Sequence, residues 1–373
     1  MKKALAVDWL DKYAGSERTI KSLESVFDFE KCYTLVNIMS KNDLKLIFDN
    51  KDIVIENTSL QYFGKYFRYF LILFPYFTRE IKIDRDIDLL ISSSHAVAKS
   101  VHSPDCLHIS YFQARNLKYI WEEQGLYFKG IKSIFKIFIP YLQKFDLEGA
   151  TKPDYIIANS NFVQDWIRKT YKRDSEVIYP PVDVADFLLS LDRSDYYVTV
   201  GRLEQYKRFD IIVQAFSGTQ KKLIVIGDGS QKNYLQSIAS DNIEFTGFLP
   251  KVDIINYVSK AKAFIFAGVE DFGIAPVEAQ ACGTPVICLG QGGTKETVLD
   301  GITGVHFDSQ TTEDLLEAIE YFEQNENKFE PTAIRKNALR FSKERFEKEI
   351  KEFVEEKFAI FKNSKSLINV EAY

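Results

Sequence analysis

Short apolar runs separated by longer amphipathic stretches dominate this chain. In the first half, Ala4 to Asp8, Leu89-Leu90-Ile91-Ser92-Ser93-Ser94 and Tyr155-Ile156-Ile157-Ala158-Asn159-Ser160 read as strands. Asn161 to Tyr171 reads as a helix. Ala14-Gly15-Ser16-Glu17-Arg18 reads as a turn into another helix, with Ser16 as its N-cap. The pattern resets after Val177-Ile178-Tyr179-Pro180-Pro181-Val182-Asp183, an extended, proline-stiffened linker. A second alternation follows, with strands over Tyr196 to Val200, Leu223 to Ile226, Ile243 to Phe245, Ala263 to Phe266 and Val286 to Leu289. Strands spaced by helical stretches build right-handed βαβ units and a parallel sheet. Two such alternations predict an α/β chain of two Rossmann-like, doubly wound domains facing a cleft. Their expected bounds are residues 1–183 and 184–344. A charged amphipathic helix, within about 345–373, is expected to pack back on the first domain and to fray around Asn363-Ser364-Lys365-Ser366.

At 373 residues the chain is too long for one ordinary core, which agrees with two domains. The 48 Lys and Arg against 53 Asp and Glu give a net charge of −5, which offers nucleic acid no attraction. Cys32, Cys106, Cys282 and Cys288 are scattered and read as small apolar residues of a reduced, cytoplasmic protein. The four histidines have no zinc-type spacing. The opening apolar run is too short for a signal peptide and is interrupted by Asp8. No apolar run reaches the ~18 residues of a membrane span.

The chemistry concentrates after the Ala263–Phe266 run. Val269-Glu270-Asp271-Phe272-Gly273-Ile274-Ala275-Pro276-Val277-Glu278-Ala279 carries two glutamates with seven residues between them. A helix starts after Gly273, and Pro276 suits its first turn because the missing N–H has no partner there. Gly283-Thr284-Pro285 stops it. The carboxylates therefore bracket a strand end and the positive end of a helix, where open parallel sheets bind ligands. Such a place suits an anionic phosphate whose attached sugar carries hydroxyls.

Gly201-Arg202-Leu203-Glu204-Gln205-Tyr206-Lys207 sits at another strand end. A guanidinium fork and an ammonium charge in one loop can neutralise a diphosphate and stabilise it as it leaves. Ile226-Gly227-Asp228-Gly229-Ser230 is too short for a dinucleotide fingerprint and reads as a plain loop or a ligand contact. Gly247, Phe248 and Leu249 end a strand and would wall a base pocket. Gly290-Gln291-Gly292-Gly293-Thr294-Lys295-Glu296 places flexible backbone N–H groups before a helix.

Gly-Arg-Leu with a lysine five residues after the arginine, then Glu-Asp-Phe-Gly with a second glutamate, resembles glycosyltransferase family four. Ser92-Ser93-Ser94-His95-Ala96-Val97-Ala98-Lys99, Ile157-Ala158-Asn159-Ser160 and Ile178-Tyr179-Pro180-Pro181-Val182-Asp183 resemble its bacterial mannosyltransferases of surface polysaccharides. The resemblance implies a GT-B fold and transfer with retention. Arg202 and Lys207 would hold the donor diphosphate, Glu270 the donor sugar and Glu278 the ribose. Phe272 and the backbone of Gly273, Ile274 and Ala275 would complete the donor site. GDP-mannose is the implied donor, with no metal, and a saccharide or lipid-linked saccharide the implied acceptor. A UDP-sugar transferase of the same fold, and a nucleotide-sugar-binding protein without turnover, are the alternatives.

Two departures concern the acceptor side, where Gly15, His95, Gln113 and Arg115 are the candidates. The usual paired glycines are replaced by Ala14-Gly15. A histidine expected within a segment like Tyr111-Phe112-Gln113-Ala114-Arg115 is replaced by Gln113, which cannot act as a base but can bond a sugar hydroxyl. His95 is the nearest alternative, and a lone histidine there reads more readily as structural.

Asp84-Arg85-Asp86-Ile87-Asp88 contains an Asp-x-Asp pair and reads as a solvated turn. Two aromatic, basic segments, Tyr62 to Phe74 and Tyr127 to Phe138, suit an anionic membrane surface. In the second, Ile131, Ile134, Phe135, Phe138, Ile139 and Leu142 make an apolar helical stripe opposite Lys129, Lys132 and Lys136. A core-facing helix would look the same. The expected location is cytoplasmic, with peripheral attachment to the inner membrane face.

Overall fold

The computed structural model describes residues 1–103, 105–127 and 135–371. The chain forms two compact units. The first comprises Met1–Pro181 and the chain from Phe346 onward, and the second is Val182–Arg345.

In the first unit, β1 (Lys3–Val7), β2 (Lys31–Thr34), β3 (Val54–Asn57), β4 (Leu89–Ser94), β5 (Leu107–Phe112), β6 (Tyr155–Ala158) and β7 (Glu176–Val177) form a seven-stranded sheet in the order β3-β2-β1-β4-β5-β6-β7. Every pairing is parallel. In the second, β8 (Tyr197–Val200), β9 (Leu223–Ile226), β10 (Ile243–Gly247), β11 (Ala263–Phe266), β12 (Val286–Leu289) and β13 (Gly304–Phe307) form a six-stranded parallel sheet in the order β10-β9-β8-β11-β12-β13. Strand order reverses between β1 and β4, and again between β8 and β11. Loops diverge at such switch points and leave room for a ligand at the carboxyl ends of the strands.

Strands β9, β11 and β12 are apolar along their whole length because both faces are covered. On one face of the second sheet, Tyr197, Val225, Ile265 and Ile287 pack with Ile212 and Phe216 of the helix Phe209–Ser217 and with Ile319 and Phe322 of the helix Thr312–Gln324. On one face of the first, Leu5, Ile91, Ile109 and Ile157 pack with Ile20 and Leu23 of the helix Gly15–Phe27. Phe346, Ile350 and Val354 of the helix Lys343–Glu371 are buried in the same cluster.

Three local expectations are corrected. The first helix starts at Gly15, with Ala14 and not Ser16 at its N-cap, because the Glu17 carboxylate accepts the Ala14 N–H at 3.0 Å and the Ser16 hydroxyl at 2.9 Å. The C-terminal helix continues past Phe361, through Asn363-Ser364-Lys365-Ser366, to Glu371, and Lys365 Nζ donates to the Asp105 carbonyl at 2.6 Å. The Phe135-to-Leu142 stripe is not one helix. Phe135 to Phe138 is a 3-10 turn, and the helix Ile139–Gly149 begins where Pro140 can sit in a first turn. Ile139 and Leu142 are buried, while Ile137 is 76% exposed. Lys129, Ile131, Lys132 and Ile134 lie outside the described residues.

A buried ion pair ties together the segments around β4 of the first unit. Lys99 Nζ meets Asp146 Oδ1 at 2.6 Å, with both side chains wholly buried. Trp121 Nε1 and the Tyr171 hydroxyl donate to Asp146 Oδ2 at 2.8 and 2.7 Å, and Lys99 donates to the Ala96 carbonyl at 2.7 Å.

Candidate active site

At the switch point of the second unit, the loops after β8 and β11 meet. Lys207, at the end of the turn Gln205–Lys207, places Nζ 2.6 Å from Glu270 Oε1. This needs close backbone approach, which glycine permits. A Cβ on Gly268 would lie 3.2 Å from Lys207 Cα, and one on Gly227 would lie 1.9 Å from the Gly201 carbonyl oxygen. Gly227 N–H donates to the Gly247 carbonyl at 2.8 Å, and Gly201 N–H to the Ile226 carbonyl at 3.0 Å. The 226–230 loop is thus a brace for the 201–207 loop. Arg202 is exposed and donates to the Tyr206 hydroxyl at 3.2 Å.

Beyond Glu270, Gly273 takes a left-handed conformation (φ 87°) and leads into the helix Ile274–Ala281 with no side chain capping its first turn. Ile274 and Ala275 are partly exposed there, so this helix start is open to an anion. Phe272 is buried and packs against Phe341. Glu278 is partly exposed one turn on. The glycines after β12 have a role the sequence did not suggest. Gly293 N–H donates to the Glu270 carbonyl at 2.8 Å, and a Cβ on Gly293 would lie 2.3 Å from Phe272 Cα. They hold the Glu270 loop in place; the Gly293 N–H is not left free for a ligand. On the β10 side, Gly247 and Leu249 are partly exposed and Phe248 is 81% exposed. A cavity of about 250 Å³ beside the loop is lined by Glu204, Gln205, Phe209, Asp210, Gln231 and Tyr234, and omits Arg202, Lys207 and Glu270.

The switch point of the first unit gathers a second cluster. Asp8 follows β1 directly and is 1% exposed. Its carboxylate accepts the backbone N–H groups of His95, Ala96, Val97 and Ala98 at 2.7, 3.0, 2.5 and 2.7 Å. His95 Nδ1 lies 3.0 Å from Asp8 Oδ2, and the ring stands edge-on to Trp9 with centroids 4.5 Å apart. Burial pushes the Glu17 carboxyl above its usual range, while hydrogen bonds from the Ser16 hydroxyl and the Glu17 and Ala14 N–H groups pull it back. Gln113 Nε2 donates to Ser93 Oγ at 2.9 Å and to the Ser16 carbonyl at 3.4 Å. Gly15 is partly exposed at the helix start. Arg115 is buried, with its guanidinium on Glu122 at 2.5 Å and Glu123 at 3.4 Å and over Phe162, so it faces protein.

Sequence reasoning missed Asp8 and Glu17. The available signal was an acid set directly at the end of an apolar strand. The Asp84–Asp88 acids serve surface ion pairs, Asp84 with Lys31 at 2.6 Å and Asp86 with Lys2 at 2.7 Å. Among the described residues, no group of three or more His, Cys, Asp or Glu side chains is placed to hold a metal ion. No described helix is long and apolar enough to cross a membrane.

Residues 186–341 match the family model for glycosyl transferases group 1. The alpha-1,3/1,6-mannosyltransferase ALG2 of Candida glabrata is 26% identical over 225 residues, 45% of this chain and 48% of the relative. The O-antigen chain mannosyltransferase RfbU of Salmonella typhimurium is 28% identical over 166 residues, 41% of this chain and 46% of the relative. The chain spans about half the length of these relatives. Among solved structures, Anabaena HepE in complex with UDP and glucose superposes with a TM-score of 0.71 at 17% identity, covering 95% of this chain and 100% of that one. The chain has the two-domain GT-B fold, and it resembles glycosyltransferases, mannosyltransferases among them.

Proposed function

We propose that this protein is a retaining glycosyltransferase that moves a hexose from a nucleoside diphosphate sugar, GDP-mannose in the leading reading, to a saccharide or lipid-linked saccharide acceptor. The observation that carries the reading is the meeting of Lys207, on the loop that also carries Arg202, with Glu270, which lies just before an uncapped helix start. In this reading Arg202 and Lys207 receive the diphosphate and stabilise the charge that grows as the sugar–phosphate bond breaks. Glu270 faces the sugar hydroxyls, and Glu278 the ribose. Gly247, Phe248 and Leu249 border the base, and Phe272 supports the turn that presents the Gly273, Ile274 and Ala275 backbone. Gly15, His95 and Gln113 belong to the acceptor side. The basic groups and the helix start supply the charge that a metal would otherwise bring, so turnover should survive EDTA.

Mannose is supported by the mannosyltransferase names of both relatives. The O-antigen chain mannosyltransferase also supports a role in cell-surface polysaccharide synthesis. UDP with glucose in a protein of the same fold supports a UDP-sugar as the second reading. The deciding experiment incubates purified protein with GDP- and UDP-sugars and measures nucleoside diphosphate release. Release from GDP-mannose supports the first reading and release from a UDP-sugar alone supports the second. Binding without release from any donor would identify a protein that holds nucleotide sugars without turnover.

A further inference from the structure

The His95 ring is held from one side only. Asp8 already accepts four backbone N–H groups, so the 3.0 Å contact places the ring proton on Nδ1, donating to Asp8. That leaves Nε2 as the nitrogen with a lone pair. The side chain is one-third exposed, and no hydrogen-bond partner of Nε2 occurs among the described residues. The ring cannot swing freely, because Trp9 stands against it and is itself packed on Phe67 and Phe74. Its base is fixed as well. The Ala96 carbonyl accepts the buried Lys99 ammonium, so the 95–99 turn is pinned by Asp8 on its N–H side and by Lys99 on its carbonyl side. Gln113, by contrast, spends its amide N–H groups on Ser93 and Ser16. A rigid, single-tautomer imidazole at a strand-end switch point, with only its acceptor nitrogen offered, is built to receive a hydroxyl proton donor.

We propose that His95 Nε2 accepts a hydrogen bond from a hydroxyl of the sugar acceptor, and that Asp8 is the positioning residue that fixes the tautomer. This rests on the glycosyltransferase reading and names the acceptor chemistry. The groups that face the ring are the Asp8 carboxylate and Glu17, with the Arg68 guanidinium across Trp9, 5.4 Å from its centroid. Two acidic groups against one more distant cation favour a neutral, hydroxyl-bearing saccharide here over an anionic one.

The test uses the full chain labelled with ¹⁵N-histidine, which gives only four imidazoles to resolve. His95→Gln assigns the signal by its loss. The expected spectrum shows His95 as the Nδ1–H tautomer, with an Nε2 resonance that moves on titration with methyl α-D-mannoside and does not move with inorganic phosphate. His95→Ala should weaken apparent saccharide binding roughly tenfold, the scale of one lost hydrogen bond, while donor-induced thermal stabilisation stays at the wild-type level. Asp8→Asn should lose the single Nδ1–H tautomer and leave His95 in a mixture of both; if that variant fails to fold, the wild-type tautomer and titration still decide. A proton on Nε2, or an Nε2 signal unmoved by saccharide, overturns the proposal. Absence of any nucleotide-sugar binding or release by the wild type would instead overturn the transferase reading, so the two failures are distinct.

Discussion

Lys207 and Glu270 close to 2.6 Å although each sits on a different strand-end loop, one after β8 and one after β11. The pair is partly exposed, so it contributes on the order of 1 kcal/mol or less to stability. Its importance is positional. Lys207→Ala should therefore leave the melting temperature nearly unchanged and lower turnover roughly 10²–10³-fold, the scale of one lost transition-state donor. Steady-state kinetics with the preferred donor check this. Near-normal turnover would remove Lys207 from the leaving-group site.

The Lys99–Asp146 pair behaves oppositely, because both groups are wholly buried. Lys99→Met strands a buried carboxylate that still accepts from Trp121 and Tyr171, and should cost about 3–5 kcal/mol. Lys99→Met with Asp146→Leu removes both charges and should recover part of that loss. Chemical denaturation of the three proteins measures it. Equal stability of Lys99→Met and wild type would contradict the structure here.

Acid should destabilise the protein through His108. Burial pushes its imidazole from 6.5 down to about 3. Between these values the unfolded chain binds a proton that the folded chain refuses. The stability is thus fully present above about 6.5 and is lost progressively as pH falls toward 3. Burial lowers His306 in the same direction. Melting temperatures from pH 7 to 5 should fall for wild type and less steeply for His108→Asn. Parallel slopes would show that His108 does not carry the effect.

Much of the fold is legible because β9, β11 and β12 are short, wholly apolar runs covered on both faces. β5 is less legible. His108 and Ser110 interrupt its apolar run, and only the tertiary structure shows their partners: Ser92 Oγ lies 2.8 Å from His108 Nε2 and donates to Ser110 Oγ at 2.8 Å, while His108 Nδ1 is buried with no hydrogen-bond partner among the described residues. β3 and β13 lie at sheet edges, where polar and glycine residues dilute the pattern. The Lys207 and Glu270 motifs carry their own spacing and are visible locally. Asp8 shows locally only as an acid at the end of an apolar strand, since its partners come from a turn after β4 that reaches it only through strand order.

Attachment to membranes is expected to be peripheral. Tyr62 and Tyr69 are 91% and 82% exposed, with Tyr66, Phe63 and Lys65 also exposed on the same segment. Aromatic burial with basic contacts on the order of 1 kcal/mol each should give salt-sensitive binding to anionic vesicles. Co-sedimentation should weaken for Tyr62→Ala with Tyr69→Ala, and for Lys129, Lys132 and Lys136 changed together to Glu, with donor binding intact. A wild type that never pellets with anionic vesicles would favour a soluble acceptor.

The most direct measurement of the central claim is a thermal-shift panel of GDP, UDP and their sugars on wild type, Arg202→Ala and Lys207→Ala. Ligand at about one hundred times its Kd stabilises by about 2.7 kcal/mol. For a unit of this size that is a rise of about 5–10 °C. A nucleoside diphosphate sugar is predicted to raise the wild-type melting temperature by that amount, and both variants by much less. No rise with any nucleotide, or an equal rise in all three proteins, would contradict the account.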